Sequence, residues 1–277
     1  MHLGNTPLLI TATFDAGRTP LVALSQCKER VEKYMEGLIA WLEDPLCQRI
    51  VFAKNCSTPI RKGVLESVAG AYGKELEYLE VSASPRTIIQ GKGYGEGDLI
   101  LQALEKSEML RSSDDFFKMT GKLYSPEMGT VFSGIGEGEF YSGSIARSGD
   151  PAPARRMISS LYRSAKGSNG LAFLRRWARI PWSLIAPLQT GWIDTRFYRV
   201  RRDFYGDFLL HSHLRVQDAL GYTLENAFFD DLEHSSARII EQQPVILGTS
   251  GTFGTTAGEY SQEIRTKACE LAVRLIV

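Results

Sequence analysis

A chain of 277 residues with 43% hydrophobic and 10% aromatic content carries enough apolar material for a sizeable core, as one large domain or one domain with a substantial appendage, and this excludes a disordered chain. Lys plus Arg and Asp plus Glu each total 32, so the formal charge is zero and bulk charge supplies no argument for a nucleic-acid partner. No run reaches the roughly 18 apolar residues of a membrane span, Met1-His2-Leu3-Gly4-Asn5 lacks the basic and apolar regions of a secretory signal, and Cys27, Cys47, Cys56 and Cys269 show no C-x-x-C spacing, which together predict a cytoplasmic protein without a disulfide framework or zinc site.

Pro7 to Asp15 is an apolar, β-prone run that stops at the turn Ala16-Gly17-Arg18-Thr19-Pro20. From Leu21 to Glu43, Leu24, Cys27, Val31, Tyr34, Met35, Leu38, Ile39 and Leu42 recur at threes and fours, the period of an amphipathic helix. Arg49 to Cys56 reads as a second strand. Pro59 then opens a helix over 60–72, with Gly73 standing where a helix end favours glycine. Leu76 to Val81 is a third strand, followed by a glycine-rich loop, a helix over about 97–110 and a strand from Phe116. This β-α-β-α-β-α-β order over the first 124 residues predicts an α/β fold with right-handed crossovers and a mostly parallel, Rossmann-like sheet flanked by helices.

Beyond residue 124 the pattern is less regular. Residues 128–148 are rich in glycine and serine, and Gly149-Asp150-Pro151-Ala152-Pro153-Ala154 reads as a linker or surface loop. A strand is expected over 191–200, a short helix over 203–210 and a longer one over 219–232. Residues 244–256 end in a glycine and threonine loop before a last helix from about Tyr260, and no internal repeat is present.

Asp114-Asp115-Phe116-Phe117-Lys118-Met119-Thr120-Gly121-Lys122-Leu123-Tyr124 is the most informative segment. Its Phe pair suits a strand covered on both faces, and Thr120-Gly121-Lys122 then gives a hydroxyl, a flexible backbone and a cation in one turn, at the sheet edge where open α/β folds collect ligands. Such a turn suits a phosphate. Gly91-Lys92-Gly93-Tyr94-Gly95-Glu96-Gly97-Asp98 falls on the same edge, with glycines for close backbone approach and a helix N-terminus that favours negative charge. Its spacing matches neither the dinucleotide fingerprint nor the phosphate loop, and a plain connector with Asp98 stabilising the helix start explains it equally. Thr11, Thr13 and Asp15 close the first strand, and Lys54, Asn55, Ser57 and Thr58 the second. A nucleoside fits between these polar ends, while ordinary turn chemistry accounts for any one of them alone.

The order of elements, the Gly91–Gly97 run and the Phe116–Tyr124 strand resemble bacterial GT-A-type glycosyltransferases of surface-polysaccharide (capsule, O-antigen) assembly. Trp192-Ile193-Asp194-Thr195-Arg196-Phe197-Tyr198 and Gly221-Tyr222-Thr223-Leu224-Glu225-Asn226 resemble the later strand and helix of such enzymes, so the resemblance covers most of the chain at the level of a superfamily. It implies a nucleotide-sugar donor held by residues 1–124 and a saccharide or lipid-linked glycan acceptor held by residues 125–277 of the same overall domain. One departure matters. Most GT-A enzymes end the fourth strand in Asp-x-Asp, whose carboxylates hold a divalent metal. Here Lys118-Met119-Thr120 stands in that place, and Asp114 and Asp115 fall about 15 Å away at the other end of the strand. No metal or other cofactor is therefore expected. Lys118 or Lys122, with Arg196 and the amides of the glycine segment around Gly91, Gly93 and Tyr94, would meet the leaving phosphate instead.

An acceptor hydroxyl also needs a general base, for which Glu225 is the first candidate, then Asp194 and Glu96. Glu225 reads equally as a solvated helix glutamate and Asp194 as the partner of Arg196 in a structural ion pair. His211, His213 and His234 compose no triad. Arg155, Arg156, Arg163, Lys166, Arg175, Arg176 and Arg179 form, with interleaved Tyr162, Phe173, Trp177 and Trp182, a basic insertion over 151–182 that has no acidic residue. It suits peripheral contact with an anionic membrane at the inner face and a lipid-linked acceptor; a helical insertion with a solvated basic face explains it as well. Nucleic acid, the rival for those charges, is not adopted as a partner. The alternatives to a transferase are a non-catalytic nucleotide- or glycan-binding subunit of a polysaccharide assembly complex, and a nucleotidyltransferase, which usually relies on paired carboxylates and magnesium.

Overall fold

The computed structural model describes residues 5–15, 27–128, 139–146, 191–242, 244–249 and 256–276. The turn expected at 16–20, the linker at 149–154, the basic insertion at 151–182 and the loop at 250–255 lie outside the described residues.

The expected β-α alternation is present. The strands are β1 (Leu8–Ala12), β2 (Arg49–Lys54), β3 (Glu75–Glu80) and β4 (Asp115–Thr120), joined through helices α1 (Cys27–Glu43), α2 (Lys62–Ala71), α3 (Thr87–Gln90), α4 (Lys92–Lys106) and α5 (Glu108–Arg111). There follow β5 (Leu123–Tyr124), β6 (Glu139–Ser142), β7 (Ile145–Ala146), β8 (Trp192–Ile193), β9 (Phe197–Arg201), α6 (Leu224–His234), β10 (Arg238–Glu241), β11 (Leu247–Thr249), β12 (Thr256–Gly258) and α7 (Gln262–Leu275). Seven strands form one sheet in the order β10-β6-β9-β4-β1-β2-β3, in which β9 alone runs antiparallel to its neighbours β4 and β6.

The two faces of the sheet are covered because the strands bury alternate side chains on opposite sides. Leu8, Ile10 and Ala12 of β1, Ile50 and Phe52 of β2, and Phe117 and Met119 of β4 join a core with α1, α2 and α7. Leu9, Val51, Ala53 and Phe116 join the opposite core with α4, α5 and α6. The chain builds β1, β2 and β3 outward in one direction and then crosses back to lay β4 on the other side of β1. That reversal opens a crevice at the carboxyl ends of β1 and β4, the place where such sheets bind ligands.

Three expectations are corrected in detail. The third long helix begins at Lys92 rather than Gly97, so Gly93, Gly95 and Gly97 are helical; a Cβ on Gly97 would stand 2.2 Å from His213 Cβ and one on Gly95 2.7 Å from Thr87 Cγ2. Packing contacts, not loop flexibility, require those glycines. The strand expected over 191–200 is split into β8 and β9 around Asp194-Thr195-Arg196. The helix expected from Ala219 starts at Leu224, because Gly221 takes a left-handed conformation (φ 81°) and Thr223 with Asn226 forms a capping box.

Candidate functional site

The turn that leaves β4 is held from above by α1. A Cβ on Gly37 would lie 2.5 Å from the carbonyl oxygen of Gly121, and one on Gly121 would lie 2.7 Å from Thr11 O and 2.8 Å from Tyr34 Cδ1. Trp41 Nε1 donates to Leu123 O at 2.9 Å just beyond, fixing the same helix to β5. With both glycines in contact, Lys122 is left only 2% exposed. Its ammonium has no hydrogen-bond partner among the described residues and stands 5.2 Å from the centroid of the Tyr34 ring. Burial, reinforced by the charges of Arg30 and Lys92, depresses the Lys122 pKa to about 7.

Lys122 lines a cavity of about 290 Å³ at the carboxyl ends of β1, β2 and β4. Of the residues expected from sequence, Thr11, Thr13, Asn55, Ser57, Lys92, Glu96 and Thr120 also line it. The convergence of strand ends read from the sequence is therefore present. Arg30 and Tyr34 were not legible as lining residues, although both line the cavity. The available signal was a buried-face arginine on an otherwise apolar helix stripe: Arg30 donates through Nε to Thr13 O at 2.7 Å and through Nη2 to Tyr34 Oη at 3.4 Å.

Lys118 has a different place from the one expected. It is fully buried on the α4 side of β4, ion-paired with Glu96, and donates to Thr195 O at 2.7 Å and Thr120 Oγ1 at 3.1 Å. Its three donors are used within the protein, so none is left for a phosphate. Glu96 Oε1 accepts further from Thr120 Oγ1 at 3.1 Å and from Thr11 Oγ1 at 3.4 Å. Burial pushes the Glu96 carboxyl up, but the charges of Lys118 and Lys92 and the hydrogen bonds from Lys118 and Thr120 outweigh it and hold the pKa at about 2.

The start of α4 is likewise occupied. Gly93 N donates to Asp218 Oδ2 at 2.9 Å, so the backbone donors expected for a phosphate meet a carboxylate of the chain itself. Gly91 (φ 104°) and Gly93 make room for it, since a Cβ on Gly91 would lie 2.4 Å from Asp218 Oδ2. Burial pushes the Asp218 pKa up to about 6, opposed by the Gly93 hydrogen bond and assisted by the charge of Glu225. Tyr94 is buried against the His213 ring, its centroid 5.3 Å away, rather than in the cavity. Lys54 is a staple of the β2 turn, donating to Cys56 O at 2.8 Å, Thr58 O at 2.5 Å and Glu80 Oε1 at 3.1 Å.

The remaining candidates gather beside β9. Asp194 is buried and takes Arg196 through both oxygens, at 2.6 Å from Nη2 and 3.0 Å from Nε, which is the structural ion pair. Glu225 lies in the first turn of α6 and accepts from Thr195 Oγ1 at 3.2 Å. Neither lines the cavity. Asp115 begins β4 at its far end and pairs with Arg199. Among the described residues no three His, Cys, Asp or Glu side chains gather as a metal-ion ligand set. The carboxyl end of β4 brings Thr120 and the Lys122 ammonium to the cavity, which the carboxylates of Asp15 and Glu96 also line.

No family model matches the chain, and no curated protein matches it. Among solved structures it is similar to the bifunctional glycosyltransferase WbbM in its apo form, at 10% identity and a TM-score of 0.41, over 81% of this chain and 37% of that one. It thus spans little more than a third of that protein. It is also similar to core-mannan synthase A (CmsA/Ktr4) from Aspergillus fumigatus in its Mn/GDP form, at 12% identity and a TM-score of 0.43, over 97% of this chain and 84% of that one.

Proposed function

We propose that this chain is a glycosyltransferase that holds a nucleotide-sugar donor in the cavity at the ends of β1, β2 and β4 and passes the sugar to a saccharide or lipid-linked glycan. The observation that carries this reading is Lys122, a buried ammonium with no hydrogen-bond partner among the described residues, lining the cavity at the sheet's switch point. An uncompensated cation is costly to bury, and an anionic ligand relieves that cost. In this reading Lys122, with Arg30 and Lys92 nearby, meets the diphosphate, and the hydroxyls and amide of Thr11, Thr13, Asn55 and Ser57 meet the nucleoside. The charge that builds on the leaving phosphate is stabilised by ammonium and guanidinium groups without a metal.

For the base we retain Glu225. Both oxygens of Asp194 are engaged by Arg196, and Glu96 is engaged by Lys118, Thr120 and Thr11. Glu225 accepts from Thr195 Oγ1. Residues 125–277 then carry the acceptor, with 151–182 against an anionic membrane at its cytoplasmic face. Among the described residues no helix is long and apolar enough to cross a membrane.

Calorimetric titration with UDP, GDP and other nucleoside diphosphates, with and without EDTA, tests the reading. The expected result is binding that survives EDTA and weakens about 10- to 100-fold in Lys122→Met. Loss of binding on adding EDTA sinks the metal-free mechanism, and absence of any nucleotide binding sinks the donor site. Full transferase activity in Glu225→Gln would remove that residue as the base.

A further inference from the structure

We infer that Lys122 is also a covalent site, whose amine takes a small phosphate-bearing aldehyde into the cavity and holds it as an imine. The inference goes beyond glycosyl transfer and uses only the cavity's affinity for anions.

The geometry is that of a nucleophile without a hydrogen-bond partner among the described residues. Two other lysines are buried among the described residues, and both are committed: Lys54 to two carbonyls and Glu80, Lys118 to Glu96, Thr120 and Thr195. Lys122 Nζ makes no hydrogen bond among the described residues and lines an open cavity large enough, at about 290 Å³, for a small organic phosphate. Arg30 and Lys92 line the same cavity and supply charge for the phosphate. The Tyr34 ring, 5.2 Å from Nζ, gives a flat apolar wall for a conjugated aldehyde.

The chemistry balances without an outside oxidant or reductant. The lone pair of the neutral amine attacks the carbonyl carbon, forming the C–N bond while the C=O π pair moves to oxygen. Transfer of a proton from nitrogen to that oxygen gives a carbinolamine, and loss of one water leaves the imine. The step needs the free amine. Lys122, with its pKa near 7, has about half of its amine neutral at pH 7, against less than about 0.1% for an ordinary surface lysine. Allowing for the lower intrinsic nucleophilicity of a less basic amine, Lys122 reacts about a hundred-fold faster than surface lysines at that pH.

The whole chain is incubated with pyridoxal 5′-phosphate at pH 7, reduced with borohydride and mapped by peptide mass. The expected result is a principal adduct on Lys122, formed at least about tenfold more slowly with 5-deoxypyridoxal, which lacks the phosphate and cannot close to a hemiacetal, and suppressed by inorganic pyrophosphate. Lys122→Arg keeps the cation and loses the adduct; should that variant misfold, the map of the natural chain still decides. Adducts on Lys92 or on surface lysines with Lys122 unmodified overturn the inference, and equal rates with 5-deoxypyridoxal overturn its phosphate specificity. Nucleotides that bind without any adduct forming at Lys122 sink this inference alone. Labelling of Lys122 that no nucleotide protects sinks the donor-site reading and leaves this one standing.

Discussion

Gly37 on α1 and Gly121 after β4 meet so closely that a methyl group on the first would lie 2.5 Å from the carbonyl oxygen of the second. That contact sets how deeply the turn carrying Lys122 is seated. Gly37→Ala should therefore push helix and turn apart, costing about 1–3 kcal/mol despite the better helix propensity of alanine. Urea unfolding measures the stability loss, and a phosphate-anion titration should show a parallel loss of affinity. A variant equal to the natural chain in both would show that the α1 contact does not seat the turn.

Lys122 ties ligand binding to protons. Its folded pKa, about 7, lies below its ordinary value, so the unfolded chain takes up its proton first as pH falls. The associated stability is present above about pH 10 and is lost as pH falls toward 7. Lys122→Met should accordingly stabilise the ligand-free protein near pH 7, by on the order of 2 kcal/mol, while it removes anion affinity. An anion favours the charged form, so binding near pH 7 should take up as much as about half a proton and weaken as pH rises to 9. Calorimetry in two buffers of different ionisation enthalpy reads the uptake directly, and buffer-independent heats would contradict it.

Much of this architecture was legible because the buried strands announce themselves. Leu8–Ala12 and Arg49–Lys54 are nearly continuous apolar runs, as a parallel sheet covered on both faces demands. The convergence of Thr11, Thr13, Asn55 and Thr120 on one edge followed from topology alone. The commitments of the charged groups did not. Lys118 and Lys122 look alike in sequence, yet one is paired with Glu96, 22 residues away, and the other has no hydrogen-bond partner among the described residues. Only the fold brings Glu96 to β4, because α4 starts at Lys92 and carries Glu96 back over the strand ends. Gly91–Gly97 read as a loop because glycine disfavours helices; the segment from Lys92 is helical, and its glycines stand where His213 and Thr87 occupy the space that side chains at Gly97 and Gly95 would need.

The Glu96–Lys118 pair yields a stability test. Lys118→Met would leave the Glu96 carboxylate largely buried beside two threonine hydroxyls without its ion-pair partner, at a cost of about 3–5 kcal/mol. The double variant Glu96→Gln, Lys118→Met removes both charges and should recover most of that loss. A double-mutant cycle from denaturant midpoints gives the coupling. Additive losses would mean that the two side chains do not stabilise one another.

Asp218 gives a test at the start of α4. Its carboxylate accepts the Gly93 amide at 2.9 Å, but burial raises its pKa to about 6, above the unfolded value near 3.8. The folded state thus holds the proton longer than the unfolded chain does. Its contribution to stability is complete below about pH 4 and is lost as pH rises through 6. A shift of about two units corresponds to at most about 3 kcal/mol. Asp218→Asn keeps an oxygen for the Gly93 amide and removes the titration. Its stability relative to the natural chain should therefore rise between pH 4 and 7, so that the variant is the more stable of the two at pH 7. Urea midpoints at pH 4, 5, 6 and 7 measure the difference. A constant offset across that range would mean that Asp218 is ionised throughout and that its charge is well accommodated at the start of α4.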